Sequence, residues 1–193
     1  MDSPADILRR IFAAAEGVLR VERLAPGFAA AALVFITLSG GCNGTRSGGS
    51  DAPPGSERIV IEGHAFDLEL ALDQAARARG LMGVEEIPED GGMLFVFPEP
   101  AHQGFWMANC LTDIDIIYLD AFGRVTATHR MAAEPPRQPD ESTFAYHNRL
   151  PRYPSRRPAQ FVIELKAGWL DQLDLKVEDK IELDLDRLKA MAE

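Results

Sequence analysis

Three features of this chain predict a mostly-β (α+β) fold: a single compact β-barrel- or sandwich-like domain with short helices over residues 58–193. Apolar runs of five to seven residues recur at Met93–Phe97, Ile114–Asp120 and Phe161–Leu165, a length that suits strands and is short for helices. Phe66, Leu68, Leu70 and Leu72 alternate with Asp67, Glu69 and Ala71, the period of a half-buried strand. Gly and Pro separate these runs closely, as turns between short strands require.

Residues 1–57 do not share that pattern. Residues 1–41 read as a leader followed by a signal or anchor segment. Arg20 and Arg23 precede an eleven-residue apolar run, Phe28–Leu38, and then small residues ending at Cys42, the order of a secretory signal. A permanent span needs about 20 apolar residues, and Pro26-Gly27 interrupts this run on its N-terminal side. The segment before Cys42 resembles a bacterial lipoprotein cleavage box, with Leu38 four residues before the Cys instead of three. Three outcomes stay open: a lipid on Cys42, an uncleaved hydrophobic anchor, or plain secretion. Residues 42–57 are rich in Gly, Ser and Pro and read as a flexible tether. The expected location is the periplasmic side of the cell envelope, with the membrane as partner through the N-terminal lipid or anchor.

Within the domain, Ile59–Ile61 and Phe66–Leu72 read as strands turning at Gly63-His64. Asp73 caps a short helix over 74–79, which Gly80 ends. Met93–Phe97 is apolar on both faces and should be a central strand, ended by Pro98 and Pro100. Gln103–Met107 is a short strand. Ile114–Asp120 and Arg124–Met131 form a pair around Gly123. Ala132–Gln160 is a 29-residue polar stretch whose Phe144, Tyr146 and Tyr153 suggest a packed cover loop. Phe161–Leu165 resumes the sheet, Ala167–Leu175 is a short helix or turn carrying Trp169, Lys180–Leu185 is the last strand, and Arg187–Ala192 a fraying helix.

The net charge of −10 argues against nucleic acid as a partner, because phosphate binding needs a cationic face. Two cysteines are too few for a disulfide framework. No G-x-S-x-G, P-loop or dinucleotide fingerprint occurs. The four histidines lack the short spacings of zinc sites, so no metal or cofactor is expected. Met82, Met93 and Met107 read as core packing, with a soft-metal site as the remote alternative.

Arg77-Ala-Arg-Gly-Leu-Met82, Gly92–Phe97, Phe105-Trp-Met107 with Asn109, Asp115–Asp120, and Phe161–Leu165 followed by Ala167-Gly168 resemble, in order and spacing, the bacterial and archaeal family called domain of unknown function 192. The resemblance runs from Ile59 to Leu185. It implies a compact, mostly-β domain that is often exported, and it implies no reaction. The chain departs from that family at Ala76 (usually Glu), Ala108 (usually Lys), Cys110 (usually Thr) and Thr112-Asp113 (usually an apolar residue and Pro).

Asp115 shares strand parity with Ile117 and Leu119, the face expected to be buried, so its carboxylate needs a partner. Arg77, Arg79 and the Asn109 amide are the expected ones. A structural ion pair is a commoner fate for such a group than catalysis. Trp106 and Asn109 flank one turn and suit a cleft as well as a core. Glu164 interrupts an apolar strand and is expected to face solvent beside Lys166. Cys110 is expected to be a small buried thiol. The leading function is therefore non-catalytic binding of a small ligand, glycan or protein, through Arg77, Arg79, Trp106, Asn109 and Asp115. The alternatives are a hydrolase using Asp115 and Glu164 as its carboxylate pair, and a purely structural envelope module.

Overall fold

The structure is a computed structural model in which residues 52–193 are described. The signal or anchor segment, Cys42 and the tether up to residue 51 lie outside the described residues.

The chain first forms a hairpin of β1 (Ser56–Ile61) and β2 (His64–Ala71). Ile61 pairs with His64, so the loop is the two residues Glu62 and Gly63, both at positive φ (48° and 82°). That is the backbone a two-residue hairpin turn needs, and it places His64 on the strand instead of in the turn. The Asp73 side chain accepts from the Ala76 amide at 2.8 Å and caps α1 (Gln74–Arg79), which Gly80 closes. β3 (Gly91–Ala101) then runs parallel to β2.

Pro98 and Pro100 do not end β3. They carry no N–H to donate, and the register with β8 (Ala159–Lys166) breaks between Val96 and Ala101 before Ala101 pairs with Ala159. β5 (Ile114–Leu119) and β6 (Val125–Met131) form the expected antiparallel pair. The six-stranded sheet has the order β1-β2-β3-β8-β5-β6 and is open, with β8 inserted between β3 and β5.

Both faces of the sheet are covered, and for this reason β3, β5 and β8 read as near-continuous apolar runs, broken within β5 and β8 by Asp115, Gln160 and Glu164. On one face Leu94, Ile117, Phe161 and Ile163 pack under Trp169, Leu173 and Leu188. Trp169 belongs to a 3₁₀ turn, Trp169–Asp171, and its Nε1 donates to the Glu89 carbonyl at 2.7 Å. Leu188 belongs to α3 (Leu185–Met191), which packs its buried face here instead of fraying. On the other face Phe95, Ile116, Tyr118 and Val162 pack under Leu81, Met107 and Cys110.

Two expected strands are shorter than their sequence suggests. Residues 180–185 contribute a single bridge, Lys180 to Arg124, before α3 begins. Residues 103–107 contribute only β4 (Gly104–Phe105). Its partner is β7 (Tyr153–Pro154), which comes from the long polar stretch. That stretch also folds α2 (Thr143–Arg149), capped by the Ser142 hydroxyl, which accepts from the Ala145 amide at 3.1 Å. Tyr146 is buried, Tyr153 is half-buried, and Phe144 is 77 % exposed, so the cover is packed at two of its three aromatics.

Candidate functional site

Glu164 is the anomaly in the core. On β8 it alternates with Ile163 and Leu165, so its side chain leaves the Trp169 face and enters the opposite one, at the register of Met93 and Ile116. It is 5 % exposed, and its Oε2 has no hydrogen-bond partner. The expectation that it faces solvent beside Lys166 is corrected: β8 has no solvent face, and only Lys166, at the strand end, reaches out to pair with Glu89 at 2.6 Å. Burial among apolar side chains pushes the Glu164 carboxyl up to about 8, so at neutral pH it holds its proton.

The titratable groups that feel the Glu164 charge, Tyr118 and Cys110, are committed elsewhere. The Tyr118 hydroxyl donates to the Tyr153 carbonyl at 2.6 Å. The Cys110 thiol turns to the Ala108 carbonyl at 3.6 Å, and burial pushes it up to about 12. Such a thiol stays protonated and is a poor nucleophile. Cys110 is thus the small buried residue its context suggests.

Glu164 floors a cleft of about 490 Å³. The end of α1 and the following residues, Arg79 to Met82, form one side; Phe95 and Phe97 of β3 form the back; Gln103 to Trp106 and Arg152 form the other side. Gly80 matters here. Its φ is +49°, and a Cβ at that position would stand 3.3 Å from the Phe95 ring and 3.7 Å from Glu164 Oε2, directly over the carboxyl. The residue with no side chain avoids crowding the Phe95 ring beside the carboxyl.

The opposite side is set by the β4–β7 ribbon. Phe105 pairs with Tyr153, so the next residues outward, Trp106 and Arg152, meet, and the Arg152 guanidinium lies 3.5 Å from the Trp106 ring centroid. The ribbon is pinned to the sheet by the Tyr118–Tyr153 bond and by His129 Nε2, 2.8 Å from the Pro154 carbonyl. Phe105 stacks edge-on against both Phe95 and Tyr118, serving the core and the cleft wall together.

Of the residues expected at a site, Arg77, Arg79 and Trp106 line this cleft. Arg77 is largely committed: its guanidinium bonds the carbonyls of Leu72, Val96 and Glu193 and lies over Phe97. Arg79 is exposed, and no acid pairs with it among the described residues. Asn109 stands outside the lining. Its φ of +55° and its backbone bonds, N–H to the Tyr146 hydroxyl and carbonyl from the Gly83 amide, make it a turn residue.

Asp115 lies on the other face of the sheet. Its expected partners, Arg77, Arg79 and Asn109, are not its partners. Its carboxylate accepts from Arg130 Nε at 3.0 Å and from the amides of Gly168 and Leu170 at 2.8 Å each, and its side chain is 0 % exposed. Arg130 sits opposite it in the β5–β6 register and also reaches Asp171. Asp115 therefore anchors the 3₁₀ turn that carries Trp169. The carboxylates of Asp115 and Glu164 do not share a space.

No group of three or more His, Cys, Asp or Glu side chains among the described residues is placed to hold a metal ion. Met93 and Met107 are buried in the core, and Met82 packs beside Tyr146. No described helix is long and apolar enough to cross a membrane.

An open mixed sheet covered on both faces, with a cleft floored by a buried acid, defines a small α+β domain. The chain belongs to the DUF192 family, described as "Uncharacterized ACR", whose profile matches residues 57–183. Two solved structures are similar to it. A candidate transcription regulator from Sinorhizobium meliloti is 29 % identical, with a TM-score of 0.52 over 65 % of this chain and 89 % of that one. A protein of unknown function from Novosphingobium aromaticivorans is 27 % identical, with a TM-score of 0.55 over 75 % of this chain and all of that one. No curated protein matches the chain.

Proposed function

We propose that this domain binds a small ligand without transforming it, in the cleft between α1 and the β4–β7 ribbon, and that it does so at the cell envelope, held by a lipid on Cys42. The observation that carries the binding reading is Glu164: a 5 %-exposed carboxyl with an unpartnered oxygen at the floor of the cleft. Leaving a buried polar atom unpaired costs about 1–3 kcal/mol, and such atoms are few in native proteins. A ligand that bonds Glu164 recovers that cost. The volume, about 490 Å³, falls in the range of small-molecule sites and is small for a folded protein partner. Apolar walls with few polar groups match the usual composition of such sites.

The separation of Asp115 from Glu164 across the sheet disfavours the carboxylate-pair hydrolase, because acid and base must reach one substrate. The envelope location rests on the order of charged, apolar and small residues before Cys42.

The test is equilibrium dialysis of the purified full chain against a small-molecule extract, read by mass spectrometry beside Ala78→Trp. Ala78 is exposed on α1 and lines the cleft, so an indole there blocks it without entering the core. A compound enriched by the wild type and lost by Ala78→Trp is the expected result. Equal retention by both proteins overturns the binding reading.

A further inference from the structure

The charges around the cleft narrow the ligand class. Acids outnumber bases by ten in this chain, yet none of the three arginines lining the cleft, Arg77, Arg79 and Arg152, pairs with an Asp or Glu side chain among the described residues; Arg77 is spent on main-chain oxygens, which leaves Arg79 and Arg152. Elsewhere Arg130, Arg149, Arg157 and Arg187 pair with acids at 2.5–3.0 Å, while Arg124 and Arg137 donate to main-chain carbonyls; what sets the cleft apart is that three such arginines lie around one cavity. Arg152 is held over Trp106 by stacking and by one long bond, 3.4 Å, to the His147 carbonyl. Most of its donor edge remains free, and a guanidinium presents a planar fork suited to carboxylate or phosphate. Glu164 is the lone acid in the lining. With its proton retained it adds no charge, and it offers one O–H donor and one acceptor oxygen. The cleft is thus cationic at the mouth, aromatic along Phe95, Phe97 and Phe105, and polar but neutral at the floor.

We propose that the cleft takes a small organic anion, a carboxylate or phosphate monoester, with its charge at Arg79 and Arg152, a flat apolar body along the phenyl wall, and a hydrogen-bonding group at its inner end against Glu164. This rests on the binding reading above and assigns its ligand class. An amine is the converse choice: it would take the Glu164 proton and place its cation beside three guanidiniums.

Calorimetric titration of the purified full chain with 4-hydroxybenzoate, phenyl phosphate, neutral 4-hydroxybenzamide and cationic tyramine tests the assignment. At least one anion is expected to bind tenfold or more tightly than the amide, with tyramine weakest. Which anion wins separates carboxylate from phosphate. Arg79→Gln combined with Arg152→Gln, both at exposed positions, is expected to abolish that preference, bringing the anions to the affinity of the amide measured on the same variant. Raising salt should weaken the anions alone. If the amide or tyramine binds as tightly as both anions, or if the double variant keeps the preference, the anion assignment fails and the binding reading stands. If no probe binds, the assignment fails too, and the dialysis against Ala78→Trp decides the binding reading separately.

Discussion

Glu164 couples the cleft to stability through one proton. Its carboxyl is raised from the ordinary value of 4.5 to about 8 by burial. Between those values the folded protein holds a proton that the unfolded chain has released, so this residue makes stability fall as pH rises through that window. Below about 4.5 both states are protonated, and above about 8 both are ionised. Glu164→Gln removes the linkage while keeping the shape. The variant is expected to melt near the wild-type temperature at pH 4.5 and to gain steadily up to pH 8, by on the order of 4 kcal/mol. Paired melting curves across that range check this. A constant difference between the two proteins would mean that the carboxyl is not desolvated.

Glu164 was visible in the sequence as a charge inside Phe161–Leu165, but its direction was not. Parity assigns a side chain to a face, and only neighbouring elements decide whether that face meets water. Cover from α1 and β4 on one side, and from the Trp169 turn on the other, left β8 no wet side. Arg152 was illegible for a different reason. It is brought to Trp106 from 46 residues away by a two-residue pairing inside a stretch without hydrophobic period.

At the scale of elements, the strands were legible because runs of Val, Ile, Leu and Phe bounded by Gly and Pro have few alternatives. The Asp115–Arg130 pair was within reach too, since a hairpin centred near Gly123 places those positions opposite one another. The arginines of α1 lie on the other face of the sheet from that pair. The pair fixes the role of Asp115 as an acceptor for the Gly168 and Leu170 amides. Asp115→Ala should strand two half-buried amide donors and release Arg130 to solvent, costing about 1–3 kcal/mol for each stranded donor at most in chemical denaturation. Ligand enrichment per folded molecule is expected to stay the same, because the cleft lies across the sheet. Lost enrichment in a folded Asp115→Ala protein would place the site on the wrong face. Gly92 serves a similar architectural end: a Cβ there would lie 2.1 Å from the Glu164 carbonyl, so β3 and β8 meet closely only because that position is glycine.

At the scale of the whole molecule, the net charge of −10 repels anions of every size at long range, so an anion that binds is held locally, within about a Debye length of the arginines at the cleft. The location proposed above is checked on Cys42. Mass spectrometry of the membrane fraction is expected to find a diacylglyceryl group there, and Cys42→Ser should move the protein out of that fraction. Retention of unacylated Cys42→Ser in membranes would favour the hydrophobic anchor instead.

The place of β8 also governs how the molecule must be assembled. The strand at the centre of the sheet leaves the ribosome after both of its neighbours, as residues 159–166 against 91–101 and 114–119. Until it arrives, the nascent chain carries two half-finished ribbons with greasy, unzipped margins at β3 and β5, which are templates for pairing with another copy. Long-range closure of this kind is slow beside helix formation. Insertion of β8 between β3 and β5 therefore ends the interval in which those two margins can pair with another copy.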